Sequence, residues 1–191
     1  MPKTNVFKEI IWPTLVLIII SAVIGGLLAV TYNLTGVAEL SGAGLSKEEL
    51  NEYMPNVLPG ASSLKQAKVS LEDPDFLGAY VDEGGNGVAI YAQTKGYHEM
   101  LKVLVGIGPD GTVTGTQIID NQETPGLGSK IEKPDFSGQF IGKDANFTVA
   151  ADGSGDINAV AGATISSVAM GDGIKKAFTF YDQIKGELTG E

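Results

Sequence analysis

The sequence predicts an α+β domain, with an antiparallel sheet and packed helices, carried behind a single N-terminal transmembrane helix. Three observations predict it. An almost wholly apolar run extends from Ile10 to Val30, four strand-like segments follow between Phe76 and Ile119, and a helix-patterned segment runs from Thr164 to Lys185. Strands in succession followed by a helix to cover them favour α+β over an alternating parallel architecture.

The apolar run comes first. Its 21 residues would rise about 31 Å as a helix, close to the thickness of a hydrocarbon core. Trp12 and Tyr32 flank it as interfacial aromatics, and Pro13 falls in the first turn, where a missing N–H costs little. The run exceeds the usual hydrophobic core of a signal peptide, and no small-x-small cleavage site follows it. Lys3 and Lys8 precede it and no Lys follows until Lys47, which predicts a cytoplasmic N-terminus and an extracytoplasmic remainder at the cell membrane. The expected division is 1–9 cytoplasmic, 10–32 transmembrane, 33–45 linker and 46–191 extracytoplasmic domain.

Beyond the polar linker, Ser46-Lys47-Glu48-Glu49 has the form of a capping box. It predicts a short helix to about Asn56, closed by Pro55 and Pro59-Gly60. The expected strands are Phe76–Val81, Val88–Thr94, Leu101–Ile107 and Val113–Ile119, rich in Val, Ile, Tyr and Leu. Glu83–Gly87 makes a loose turn and Pro109-Asp110-Gly111 a hairpin turn, so the sheet is expected to be an antiparallel meander. In the C-terminal helix, Val168, Ile174, Ala177, Phe178, Tyr181 and Ile184 are expected to share a buried face despite Gly171 and Gly173.

Composition bounds the function. The formal net charge is −10, which argues against nucleic-acid binding. The chain has no Arg, so no bidentate guanidinium can grip a phosphate; backbone N–H groups, hydroxyls and Lys would have to do so. It has no Cys, which removes disulfides, thiolate catalysis and cysteine-ligated clusters. His98 is the only histidine and reads as surface or packing, no metal site is expected, and the acidic pairs read as solvated surface.

Two stretches carry chemistry. In Val160-Ala161-Gly162-Ala163-Thr164-Ile165-Ser166-Ser167, Gly162 permits a sharp turn and Thr164 opens the helix. Free N–H groups and the helix dipole there suit an anion, such as a phosphate bound beside the Thr164 hydroxyl or joined to it. An ordinary helix cap explains the same residues. The second stretch is Glu123-Thr124-Pro125-Gly126-Leu127-Gly128. It reads as a turn-rich loop in which Gly126 and Gly128 allow close backbone approach to a flat ring and Leu127 could cover one of its faces. Glu123 could instead accept from loop N–H groups and hold the turn.

Gly162-Ala163-Thr164 with Ser166 and Ser167, and the upstream Glu-Thr-Pro-Gly-Leu-Gly string, resemble the two hallmarks of the FMN-binding domain family in the same order. Ala161 and Asn158 depart from its usual Ser/Thr and Asp. With the single span, the chain resembles the G-type subunits of the ion-pumping Rnf ferredoxin–NAD oxidoreductase. The related C-type subunit of sodium-pumping NADH–quinone oxidoreductases is an alternative. The resemblance implies FMN esterified to Thr164 by a flavin transferase, with Gly162, Ala163, Ser166, Ser167 and the 123–128 loop around it. It also implies electron transfer among the other membrane subunits of a redox pump, in contact with lipid. A non-redox anchored scaffold, in which Thr164 is a plain cap, is the rival from another class.

Overall fold

The structure, a computed structural model, describes residues 11–34, 44–69 and 71–188. Lys3, Lys8, most of the 33–45 linker and the side chain of Tyr32 lie outside the described residues. The chain divides into two compact units, Met1–Gly42 and Ala43–Glu191.

The first unit contributes helix α1, Trp12–Leu34. Its segment Trp12–Thr31 has mean hydropathy 2.6 and is long and apolar enough to cross a membrane. Its large side chains, including Trp12, Leu17, Ile24 and Leu28, are exposed, as suits a helix whose surroundings are lipid.

The second unit opens with α2, Lys47–Val57, behind Ser46. The capping box forms: Ser46 Oγ accepts from Glu49 N–H, and the Glu49 carboxylate accepts from Ser46 N–H at 2.9 Å. Pro55 departs from expectation, because it lies inside the helix rather than closing it. Only the last turn remains after it, and Leu58 N–H still bonds the Met54 carbonyl, so the lost donor interrupts little.

Five strands follow: β1 (Leu64–Gln66), β2 (Phe76–Asp82), β3 (Val88–Lys95), β4 (Met100–Ile107) and β5 (Val113–Asp120). They pair antiparallel in chain order, and the four expected strands appear within a residue of their expected bounds at each end. Strand β1 is an addition to the expected set; three residues carry too little periodicity to read. Strand β3 pairs on both edges and is buried on both faces. Val88, Ile90 and Ala92 belong to the main core, whereas Ala89 and Tyr91 join Leu50, Val57, Leu58, Tyr80 and Leu104 beneath α2. Two-sided burial explains why β3 reads as a continuous apolar run instead of alternating.

After β5 come a 3₁₀ turn (Gly128–Glu132), the short helix α3 (Pro134–Ser137), a second 3₁₀ turn (Gly138–Phe140) and a two-residue parallel pair, β6 (Val149–Ala150) with β7 (Ile157–Asn158). Helix α4, Thr164–Leu188, then crosses β2, β3 and β4. Its buried face holds Ala169, Met170, Ile174, Ala177, Phe178 and Ile184. Val168, expected on that face, is 38% exposed, and Tyr181 is only partly buried. Gly171 and Gly173 replace them in importance. A methyl at Gly171 would lie 2.7 Å from Val149 Cγ2, and one at Gly173 would lie 3.0 Å from Val103 Cγ1. These glycines let the helix approach the sheet and the β6 segment closely.

Candidate functional site

Gly162 turns the chain into α4 with φ +80°, a conformation that L side chains resist. Ala163 N–H bonds the Val160 carbonyl, and the first helical bond runs from Ser167 N–H to the Ala163 carbonyl. The N–H groups of Thr164, Ile165 and Ser166 therefore precede the helical ladder, and the positive end of a 25-residue helix lies with them. Ser167 is fully buried; its hydroxyl donates to the Ala163 carbonyl and accepts from Val160 N–H. It staples the turn and leaves Thr164 exposed.

The second wall comes from the loop after β5. Leu127 N–H bonds the Thr124 carbonyl across Pro125 and Gly126, and Gly126 has φ +76°. Proline then glycine at the two central positions, with the glycine left-handed, is the signature of a type II turn. Gly126 N–H also bonds Ser129 Oγ at 2.9 Å. The turn pushes Leu127 outward, where it is 45% exposed.

Between these walls lies an open pocket of about 430 Å³, within the range typical of small-molecule sites. Thr164, Gly162, Ala163, Ile165 and Ser166 line one side, with Thr124, Leu127 and Gly128 on the other. Tyr97, from the β3–β4 turn, completes it. The structure thus gathers residues from three separate parts of the chain around the Thr164 hydroxyl. Of the residues the sequence nominates, Glu123, Pro125, Gly126 and Ser167 are outside the lining; they shape the two loops from behind. Tyr97 and Ile165 join the site without being nominated by the sequence. Each is 57% exposed, and a lone exposed aromatic in a turn has no periodicity to mark it.

Glu123 is 6% exposed and lies behind the pocket. Its Oε1 accepts from Tyr97 N–H at 2.7 Å and from His98 N–H at 3.4 Å. Its Oε2 accepts from Ser166 Oγ at 2.5 Å. The lining carries no charged side chain, and the Ser166 hydroxyl proton is committed to Glu123, so an anion there would depend on the α4 N–H groups and the hydroxyls of Thr124 and Thr164. Among the described residues, no group of three or more His, Cys, Asp or Glu side chains is arranged to hold a metal ion.

Residues 96–179, which include every part of this pocket, match the FMN-binding domain family. The G-type subunit of the ion-translocating oxidoreductase complex from Methanosarcina acetivorans is 35% identical over 189 residues, covering 94% of this chain and 98% of that protein. Its counterpart in the Na(+)-translocating ferredoxin:NAD(+) oxidoreductase complex from Acetobacterium woodii is 31% identical, covering 89% and 90%. Among solved structures, the C-type subunit of the Na(+)-translocating NADH-quinone reductase from Parabacteroides distasonis is similar with 24% identity and a TM-score of 0.48, covering 56% of this chain and 60% of that one.

Proposed function

This chain belongs to the family of G-type subunits of ion-translocating oxidoreductase complexes, with an FMN-binding domain, and from that premise we propose that it is a membrane-anchored electron-transfer subunit holding FMN as a phosphoester on Thr164. The observation that carries this reading is the exposed Thr164 hydroxyl at the start of α4, facing a pocket of about 430 Å³. The fit is chemical as well as spatial. A phosphate joined to Thr164 stands beside the unladdered N–H groups of residues 164–166, so the chain needs no arginine to stabilise it. Leu127, Tyr97 and Ile165 offer apolar surface for a flat ring, and Gly128 and Gly162 keep the backbone low against it. FMN supplies one- and two-electron transfer chemistry when bound; the protein supplies position, exclusion of water and electrostatic environment.

The nominated residues around Thr164 and Leu127 have parts in this reading. Ser167 holds the turn that presents Thr164. Pro125 and Gly126 fix the turn that presents Leu127. Thr124, Ala163 and Ser166 line the phosphate end. Maturation requires a flavin transferase, and the family's named activities extend to this chain as a relay between ferredoxin and NAD within a membrane complex. Helix α1 keeps the carrier at the membrane, where restricted diffusion raises its effective concentration beside its partners in the complex.

The test is mass spectrometry of protein purified from its source membrane. The chain should be heavier than its sequence by FMN less one water, with the added mass on the peptide containing Thr164. Thr164→Ala should lose all flavin that survives denaturation. Colour that persists in denatured Thr164→Ala would move the attachment point elsewhere.

A further inference from the structure

We propose that Glu123 is a positioning residue that ties the two walls of the Thr164 pocket together and so fixes the surroundings of the flavin ring. The inference rests on the reading of that pocket as the flavin site. Glu123 does not line the pocket, yet it reaches both of its walls from behind. Through Oε1 it accepts from the backbone of Tyr97 and His98, and through Oε2 from the hydroxyl of Ser166 on α4. All three contacts are donations to the carboxyl, the pattern of an acceptor-only carboxylate. Tyr97 and Ser166 are themselves pocket residues. One buried group therefore sets the distance between the β3–β4 turn and the first turn of the helix bearing Thr164.

The surroundings of the carboxylate are built to keep it there. A methyl at Gly96 would lie 2.3 Å from Oε1, and one at Gly128 would lie 2.7 Å from Glu123 Cβ and 2.9 Å from Oε2. Both glycines are buried and sit against the carboxylate where any larger residue would displace it. Glu123 N–H in turn bonds Asn121 Oδ1 at 2.9 Å, which orients the residue from its own backbone. Hydrogen bonds to a buried charged acceptor are among the stronger ones in a protein, and leaving their donors unpaired is costly. Removing this side chain would strand the Tyr97 and His98 N–H groups and release the Ser166 hydroxyl together.

The experiment compares full-length wild type, Glu123→Ala and Glu123→Gln, each made with and without flavin. Hydrogen exchange on the flavin-free chains reads the tie itself. Visible circular dichroism of the flavin-bearing chains reads how firmly the ring is held in an asymmetric site. Glu123→Ala should speed exchange at Tyr97 and His98 tenfold or more and at least halve the visible dichroism, with strands β3 and β4 still protected. Glu123→Gln keeps an acceptor for Tyr97 and a donor for Ser166 Oγ, and should recover most of both signals. Failure of Glu123→Ala to acquire flavin, when Glu123→Gln acquires it and both melt like wild type, supports the same role. Unchanged exchange and dichroism in Glu123→Ala would overturn it. So would a general loss of protection across the sheet without recovery in Glu123→Gln, because Glu123 would then be holding up the fold. Absence of flavin from wild type would instead defeat the Thr164 assignment, while the exchange data would still judge the tie.

Discussion

Asp82 ends β2 with 2% of its surface exposed, and its carboxylate organises the β2–β3 turn. Oδ2 accepts from Asn86 Nδ2 at 2.7 Å and from Asn86 N–H at 3.1 Å, while Oδ1 accepts from Ser62 and Ser63 N–H at 3.3 and 3.4 Å. The Asn86 side chain, aided by the backbone N–H groups of Asn86, Ser63 and Gly84, holds the carboxyl at about 2, below its usual 3.8. A depressed folded-state value means the stabilisation is present above the unfolded value and is lost as pH falls through the folded one. The melting-temperature gap between wild type and Asp82→Asn should therefore be full at neutral pH and close between about pH 4 and pH 2. A gap of the same size at both ends would show that the charge of Asp82 contributes nothing. The proposed attachment at Thr164 belongs to the same scale, since it would use one exposed hydroxyl whose neighbours Ser166 and Ser167 are both buried and bonded elsewhere.

At the scale of elements, α2 illustrates how a short helix becomes indispensable to a sheet. Its last carbonyls press on the β4–β5 hairpin: methyls at Gly106 and Gly115 would each lie 2.0 Å from a carbonyl oxygen, of Val57 and Asn56 respectively. Thr114 Oγ1 also donates to the Val57 carbonyl at 2.6 Å. An 11-residue helix gains little from propensity alone, so its cap matters. Ser46→Ala removes the acceptor for Glu49 N–H and should cost about 1 kcal/mol. In a domain of this size that is a fall of about 2–4 °C in melting temperature. A calorimetric scan checks it, and an unchanged melt would mean that the docking onto Gly106 and Gly115 holds α2 without its cap. Helix α4 follows the same logic, with glycines at contact points and large apolar residues between them.

For the whole molecule, the question is the side of the membrane on which the FMN-binding domain works. Lys3 and Lys8 before the span, and no Lys between it and Lys47, bias the N-terminus to the cytoplasm. Because the chain has no Cys, a cysteine placed in the Asn33–Gly44 linker is a unique label. A membrane-impermeant maleimide should modify it in intact cells of the source or host. Labelling only after the membrane is opened would reverse the orientation, and with it the compartment from which electrons reach the flavin.

Periodicity and turn chemistry make much of this protein readable from its residues alone. The 21-residue apolar run, the Ser46–Glu49 capping box, the Pro109–Gly111 hairpin and four of the five strands of the main sheet are local signals, each written within about twenty consecutive residues. Thr164 is legible for the same reason, since its glycine turn and helix start are contiguous. Tyr97, Ile165 and the bridge made by Glu123 are not legible, because each depends on segments distant in sequence being brought together by the sheet and α4. No pattern in residues 123–128 says that a carboxylate turns inward to meet residue 97 while its neighbour Leu127 turns out. That choice is made by packing: Gly96 and Gly128 leave space for the carboxylate where any side chain would collide with it, and the N–H groups of Tyr97 and His98 find their acceptor there.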